Sequence, residues 1–320
     1  MRFYNAQHQC YCGIDRHART MYVCILTHAG EIVVHRTMPT SPDALLKTIA
    51  PDREQLALGV ACIFTWYWLA DLGAREGIPV VLGHALSMQA IHGGKAKNDN
   101  IDAQKIAVLL RGGRLPQAYV DPAERRATRD LLRRRRHLTR RRAELLTHIQ
   151  NTHSQSNLPE LGKKSASKAN RDGVAERFAA PAVPKSIAVD RLLREMELAI
   201  LKTAKQHDAN PRYLRRTVPG IGEILSLVLL YELHDIQRFP RLPDFVSYCR
   251  LVKCAKASAG KRDGPSGTKI GKAYLTWAFS EAAVLCLRAH HAGQKYLTRL
   301  EKKHGKGTAL TVLAPKCSVS

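Results

Sequence analysis

Acidic residues are scarce in this chain, and long apolar runs are missing. Only 27 of 320 residues are Asp or Glu, against 51 Lys and Arg, which leaves a formal charge of +24 and a pI near 10.0. That imbalance argues for a polyanionic partner, because neutralising phosphates releases counterions and steers association. No apolar run reaches the roughly 20 residues of a membrane-spanning helix, so no membrane partner is expected and nucleic acid is the first candidate. The opening residues Met1–His8 lack the apolar core of a signal peptide. The eight cysteines form no disulfide framework. Cys10-x-Cys12 beside His8 has the wrong spacing for a zinc knuckle, and no second pair follows. Cys24, Cys62, Cys249 and Cys286 fall in apolar runs and read as reduced core thiols.

What the chain does have is a pattern of three aspartates. Asp15 ends the apolar run Cys10–Asp15, which reads as a short buried strand. Asp99 and Asp102 are three apart at the start of a helical pattern, so they share one helix face. A carboxylate on a nearby strand end would complete an oxygen-rich cage for Mg²⁺, the arrangement with which many nucleases activate water or a hydroxyl against a phosphodiester. The plainer reading makes Asp15 a turn residue, Asp99 a helix cap and Asp102 a first-turn acid. A further acid is expected at the end of Leu56–Val60, but Ala61 stands there.

The elements around these residues alternate. Strands are predicted at 10–15, Met21–Thr27 and Glu31–Val34, the first two joined by the short polar turn Arg16–Arg19. Ser41-Pro42 opens a helix. A strand at 55–60, a helix near Thr65–Glu76 and a strand at Pro79–Leu82 follow. The order β-β-β-α-β-α-β-α is that of an α/β ribonuclease H-like (RuvC-type) domain over residues 1–120. That fold brings Asp15, position 61, Asp99 and Asp102 together.

Residues 121–210 differ in kind. Ten arginines lie between Arg125 and Arg142, interleaved with Leu131, Leu138 and Leu145 at heptad spacing. Few acids accompany them, so we expect an arginine-rich coiled-coil helix that pairs protomers and grips a phosphate backbone. Arg133, Arg134, Arg135, Arg136 and Arg140 are its candidate nucleic-acid contacts. A looser stretch from about Asn157 to Lys185 precedes a helix near Ile187–His207 with Leu192, Leu193, Met196, Ile200 and Leu201 on one face.

Residues 211–320 are expected to be mostly helical. Val218-Pro219-Gly220-Ile221-Gly222 before an apolar helix is a helix-hairpin-helix-like turn, in which the amides of Gly220 and Gly222 could hold a phosphate. Lys253–Lys272 is rich in glycine, serine and basic residues, and Lys256, Lys261, Arg262 and Lys269 are candidate phosphate contacts. Ser258 within it could attack a phosphodiester if cations lower the cost of its alkoxide. Taken alone, the segment reads as a phosphate-binding loop whose serines only donate hydrogen bonds. Leu275, Phe279, Ala282, Ala283 and Cys286 read as the core of a following helix.

Together, Gly13-Ile14-Asp15, Phe64–Trp68, His92–Asp99, Ile101-Asp102, Arg129–Arg134, Val218–Gly222, Phe245–Val252 and Ser258–Arg262 resemble transposases of the 110/1111 family of insertion sequences, especially the 1111 branch. These are DEDD recombinases related to the Piv invertase. The resemblance implies a DNA transposase that uses Mg²⁺ at Asp15, Asp99 and Asp102, with Ser258 as nucleophile. It also implies an element-encoded guide RNA, a dimer or tetramer around DNA, and a cytoplasmic, nucleoid-associated location. The family's second acid falls at Ala61. Ala257 replaces the acid before the serine, Lys272 replaces an Asn, and the chain ends short of a last amphipathic helix. These departures suggest a degenerate copy, a catalytically impaired nucleic-acid-binding remnant. A simple junction nuclease with Ser258 only structural is a third reading.

Overall fold

A computed structural model of the chain describes residues 2–62, 65–91, 98–155, 157, 182–207, 220–252, 254–258, 261–266, 271–288, 290–305 and 309. The chain divides into two compact units, Met1–Ala123 and Glu124–Ser320. Most of His92–Asp99, Lys269 and the end from Leu310 lie outside the described residues.

In the first unit β1 (Cys10–Arg16), β2 (Thr20–Thr27) and β3 (Ile32–Pro39) form an antiparallel meander. Next come α1 (Pro42–Ile49), a 3₁₀ turn, β4 (Leu56–Ala61), α2 (Tyr67–Glu76), β5 (Val80–Gly83), α3 (Ala85–Ile91) and α4 (Asp99–Arg111). The sheet runs β3-β2-β1-β4-β5, with β4 parallel to both β1 and β5. This mixed five-stranded sheet is consistent with the expected ribonuclease H-like order. The Ser41 hydroxyl caps α1 by accepting the Ala44 N–H at 3.1 Å, as Ser-Pro predicted. The third strand runs five residues past its predicted end, and Ile32 and Val33 at its start are exposed.

Central β1 is covered on both faces, which is why its run is almost continuously apolar. Cys10, Cys12 and Ile14 share one face with Leu56, Leu58, Val60, Leu45 and Leu69. Tyr11 faces the other way, with Ala57, Val81, Ile106 and Leu110. Gly13 lies on this second face, where a Cβ would stand 2.1 Å from the Ala103 carbonyl oxygen and 2.5 Å from the Ala107 nitrogen. Backbone therefore packs on backbone there, and α4 sits lower on the sheet than any side chain would allow.

The second unit is mostly helical, as expected: α5 (Ala123–Gln155), α6 (Ala182–His207), α7 (Glu223–Leu233), α8 (Leu242–Tyr248), α9 (Ala273–Cys286) and α10 (His291–His304). Its core joins Leu132 of α5, Ile200 and Ala204 of α6, the apolar face of α7, and Leu275, Phe279 and Ala282 of α9. Three expectations need correction. Cys62 is exposed and Cys286 only half-buried, so neither is a core thiol. Leu192 is exposed, because the buried face of α6 runs through Leu193, Ile200 and Ala204 instead. Cys254–Ser258 and Lys261–Ser266 are not loop but an antiparallel hairpin, β6 and β7. Its glycines, Pro265 and lack of apolar alternation hid the strands.

Gly13→Ala should collide with the α4 backbone and cost on the order of 3 kcal/mol. Thermal unfolding should show this as a fall of about 10 °C or more in melting temperature.

Candidate active site

Alternation along β1 turns Asp15 to the α4 face, following Tyr11 and Gly13. The parallel register pairs Ile14 with Val60, so the next position on β4, Ala61, stands beside Asp15. Ala57, Gly59 and Ala61 alternate onto the same face, and Ala61 packs at the edge of the apolar cluster beneath α4. The expected place of the missing acid is thus occupied by a methyl group next to the Asp15 carboxylate.

Helix α4 opens beneath this edge of the sheet. Asn98 holds its cap position in extended backbone, and the Asp102 N–H donates to the Asn98 carbonyl at 3.0 Å. Asp99 is the first helical residue, which corrects its reading as a cap. Its side chain, freed from capping, reaches the β1 end. His17 joins them from the β1–β2 turn: its Nε2 lies 3.2 Å from Asp99 Oδ2 and 3.7 Å from Asp15 Oδ2. One ligand atom from each of Asp15, His17 and Asp99 falls within 4.8 Å of the others. Asp102 stands one turn along α4, close enough to act on Asp15 electrostatically, but its carboxylate leans to Lys105 Nζ at 3.7 Å. Asp15 and Asp99 are brought together, then, and Asp102 stands at the rim. Sequence reasoning passed over His17 as a turn residue; its place two residues past an acid on a central strand was the available signal.

Burial pushes the Asp15 carboxyl above the ordinary carboxylate value. His17 opposes this shift, and the negative charges of Asp99 and Asp102 reinforce it. Arg16 ties the chain after β4 to the same strand end, donating from Nη1 to the Thr65 carbonyl at 2.7 Å and lying 5.4 Å over the Trp68 ring.

The second unit separates the basic residues into two groups. Arg133 clasps Glu232 of α7 with two hydrogen bonds, Nε to Oε1 at 2.6 Å and Nη2 to Oε2 at 2.7 Å. It also stacks on Tyr274 at 4.9 Å. Arg135 binds Glu197, and Arg142 binds Asp190. Arg136 lies over Tyr274 and Trp277, and burial draws its guanidinium below the ordinary arginine value. The matching acids that α5 lacks in its own sequence come from α6 and α7. The pairs 135–197 and 142–190 run in opposite senses, so α5 and α6 lie antiparallel within one chain. Arg134 and Arg140 remain exposed.

Gly220 and Gly222 also differ. Gly220 has φ +88°, and a Cβ on it would stand 2.4 Å from the Cys286 nitrogen and 2.5 Å from the Ala282 oxygen in α9. It is a packing glycine. Gly222 caps the start of α7 with open space around its Cα. Ser258 is the last residue of β6 and pairs across the turn with Lys261. Lys256 and Arg262 lie on the two strands of this hairpin, opposite Gly264 and Ala257 respectively.

Residues 12–156 match the family model of the DEDD transposases of IS110 elements. Residues 213–298 match that of the IS116/IS110/IS902 transposases. The chain belongs to the IS110 family of transposases. It is also similar to the uncharacterized 43.6 kDa protein of insertion element IS110 from Streptomyces coelicolor, 28% identical over 127 residues. That match covers 39% of this chain and 31% of the relative, so the aligned stretch spans under a third of the relative's length. Among the described residues no helix is long and apolar enough to cross a membrane.

Because folding favours the neutral Asp15 carboxyl, its contribution to stability is present below the ordinary value of 3.8 and is lost as pH rises through the raised folded value. In the presence of EDTA, Asp15→Asn should melt higher than the parent at neutral pH. Calorimetry should show the two curves converging by about pH 3.

Arg133→Ala should cost about 3 kcal/mol in urea unfolding, since it strips a buried carboxylate of its bidentate partner. Exposed Arg134→Ala should stay within about 0.5 kcal/mol of the parent.

Proposed function

We propose that this chain is a DNA transposase of DEDD type that exchanges strands through Ser258, directed by an element-encoded guide RNA and acting as a homo-oligomer. The observation that carries this reading is the convergence of Asp15 and Asp99, from β1 and α4, on one strand edge of a chain with a +24 charge. Their carboxylates are hard oxygen donors on different elements, with Asp102 one helical turn away, and such a set fits a divalent cation. Asp15, Asp99 and Asp102 would hold Mg²⁺, which when bound supplies Lewis-acid polarisation of a phosphoryl oxygen.

In the strand-exchange step the Ser258 Oγ bonds to phosphorus while one P–O ester bond of the DNA breaks. The hydroxyl proton ends on the departing oxygen, leaving a phosphoserine link and a free DNA hydroxyl. Attack by the hydroxyl of the incoming strand then re-forms a phosphodiester and returns the proton to Ser258. Bond count is conserved, and no water is consumed. Lys256, Lys261 and Arg262 of the hairpin, and Lys269 further along the chain, would balance the phosphate charge. Arg134, Arg140 and the open start of α7 at Gly222 would grip the nucleic-acid backbone without reading bases.

Ala61 favours a second reading, a nucleic-acid-binding remnant with impaired chemistry. Removing one ligand from a metal site lowers rate by orders of magnitude, while binding by basic surfaces survives.

An excision assay in cells with a mini-element and its RNA separates the two. The expected result is that Ala61→Glu raises excision over the parent and Ser258→Ala abolishes it. Equal excision by parent and Ala61→Glu would sink the damaged-site reading. Trapping the protein on labelled DNA through Ser258 would exclude simple hydrolysis.

A further inference from the structure

Position 61 leaves the acidic site one oxygen short, and one side chain of the described structure stands where it could make up the loss. His17 Nε2 faces both Asp15 and Asp99, at 3.7 and 3.2 Å. Ligand atoms around one six-coordinate ion with bonds of about 2.1 Å lie about 3 Å apart when adjacent and about 4 Å apart when opposite. Both His17 distances fall in that range, and all three groups already fit within 4.8 Å. The imidazole is no core residue: its side chain is 52% exposed. Its backbone is nonetheless held from two sides, the N–H donating to the Thr20 carbonyl at 2.8 Å and the carbonyl accepting from Thr40 Oγ1 at 3.2 Å. A polar ring on a clamped turn, aimed between two carboxylates from different elements, is built as a donor.

We infer that His17 is a nitrogen ligand of the divalent metal, standing in for the acid missing at Ala61, and that it turns the site toward Mn²⁺ over Mg²⁺. The inference rests on the metal reading of Asp15 and Asp99 given above. Its chemistry is that of ligand softness. Mg²⁺ takes oxygen and keeps its waters, whereas imidazole suits first-row transition ions, and Mn²⁺ accepts a mixed nitrogen and carboxylate set. An oxygen-poor site with one imidazole therefore loses more with Mg²⁺ than with Mn²⁺. A copy without the acid at position 61 would keep a working ion wherever manganese is available.

The test is titration of the full chain with MnCl₂ and MgCl₂ by calorimetry, with pulsed EPR of the bound Mn²⁺ and far-UV circular dichroism to verify folding. The parent should bind Mn²⁺ at least about tenfold more tightly than Mg²⁺ and show modulation from one ¹⁴N nucleus. His17→Ala should lose the ¹⁴N signal and weaken Mn²⁺ about tenfold or more, while Mg²⁺ changes by less than about threefold. His17→Asp should keep binding, lose the ¹⁴N signal and narrow the preference for Mn²⁺. A parent spectrum without ¹⁴N modulation overturns the inference. So does tighter Mn²⁺ binding by His17→Ala, which would mean that the imidazole occupies the cation's place. If Asp15→Asn and Asp99→Asn abolish Mn²⁺ binding but His17→Ala leaves the Mn²⁺ affinity and the ¹⁴N signal as in the parent, only this inference fails. If neither aspartate variant changes metal binding, the metal reading itself fails with it.

Discussion

The close approach of α4 to β1 at Gly13 is the constraint on which the first unit depends. A helix resting on a sheet through side chains stands about 10 Å off, as layers do. Here the α4 backbone meets the β1 backbone, because the strand offers no Cβ at that point. Gly59 on β4 makes room for a side chain of the same helix, since a Cβ there would stand 2.8 Å from the Ile106 Cγ2. The helix is thereby lowered along the line of its N-terminus, and the N-terminus carries Asp99. A carboxylate on the first turn of a helix and another on a central strand can share one ion only if helix and strand nearly touch.

That proximity carries an electrostatic cost within the folded chain. Asp15 is driven toward its neutral form by burial and by two neighbouring carboxylates. Under the metal reading proposed above, the stability given up here is the cost of a site able to attract a cation. His17 opposes part of this shift.

The second unit settles its charge differently. Its long arginine-rich helix looks, in isolation, like a self-repelling rod in need of phosphate. Folding supplies Glu197, Asp190 and Glu232 from helices far away in the chain. Arg133 in particular satisfies a carboxylate that is only 3% exposed, so its role is structural before it is anything else. One of the heptad leucines behaves likewise. Leu131 packs on the unit's own core, beside a helix of the same chain. Net charge describes the long-range field of this protein, and only the pairing pattern tells which cations are still turned outward.

The sequence by itself determined the alternation of the first unit, the start of α1 at Ser41, the apolar helices of the second unit, and the two places where the acids stand. Those features are local: period-two burial, a cap, and i to i+3 spacing are written in neighbouring residues. Tertiary structure alone decided that Asn98 rather than Asp99 caps α4, that Asp102 leans away to Lys105, and that His17 joins the pair. It likewise turned a glycine-rich loop into a hairpin and four or more arginines into partners of distant acids and rings. The physical reason is common to all of these. Strand register, backbone contact and ion pairing depend on residues separated by tens of positions, and nothing in the local pattern records which distant partner each one meets.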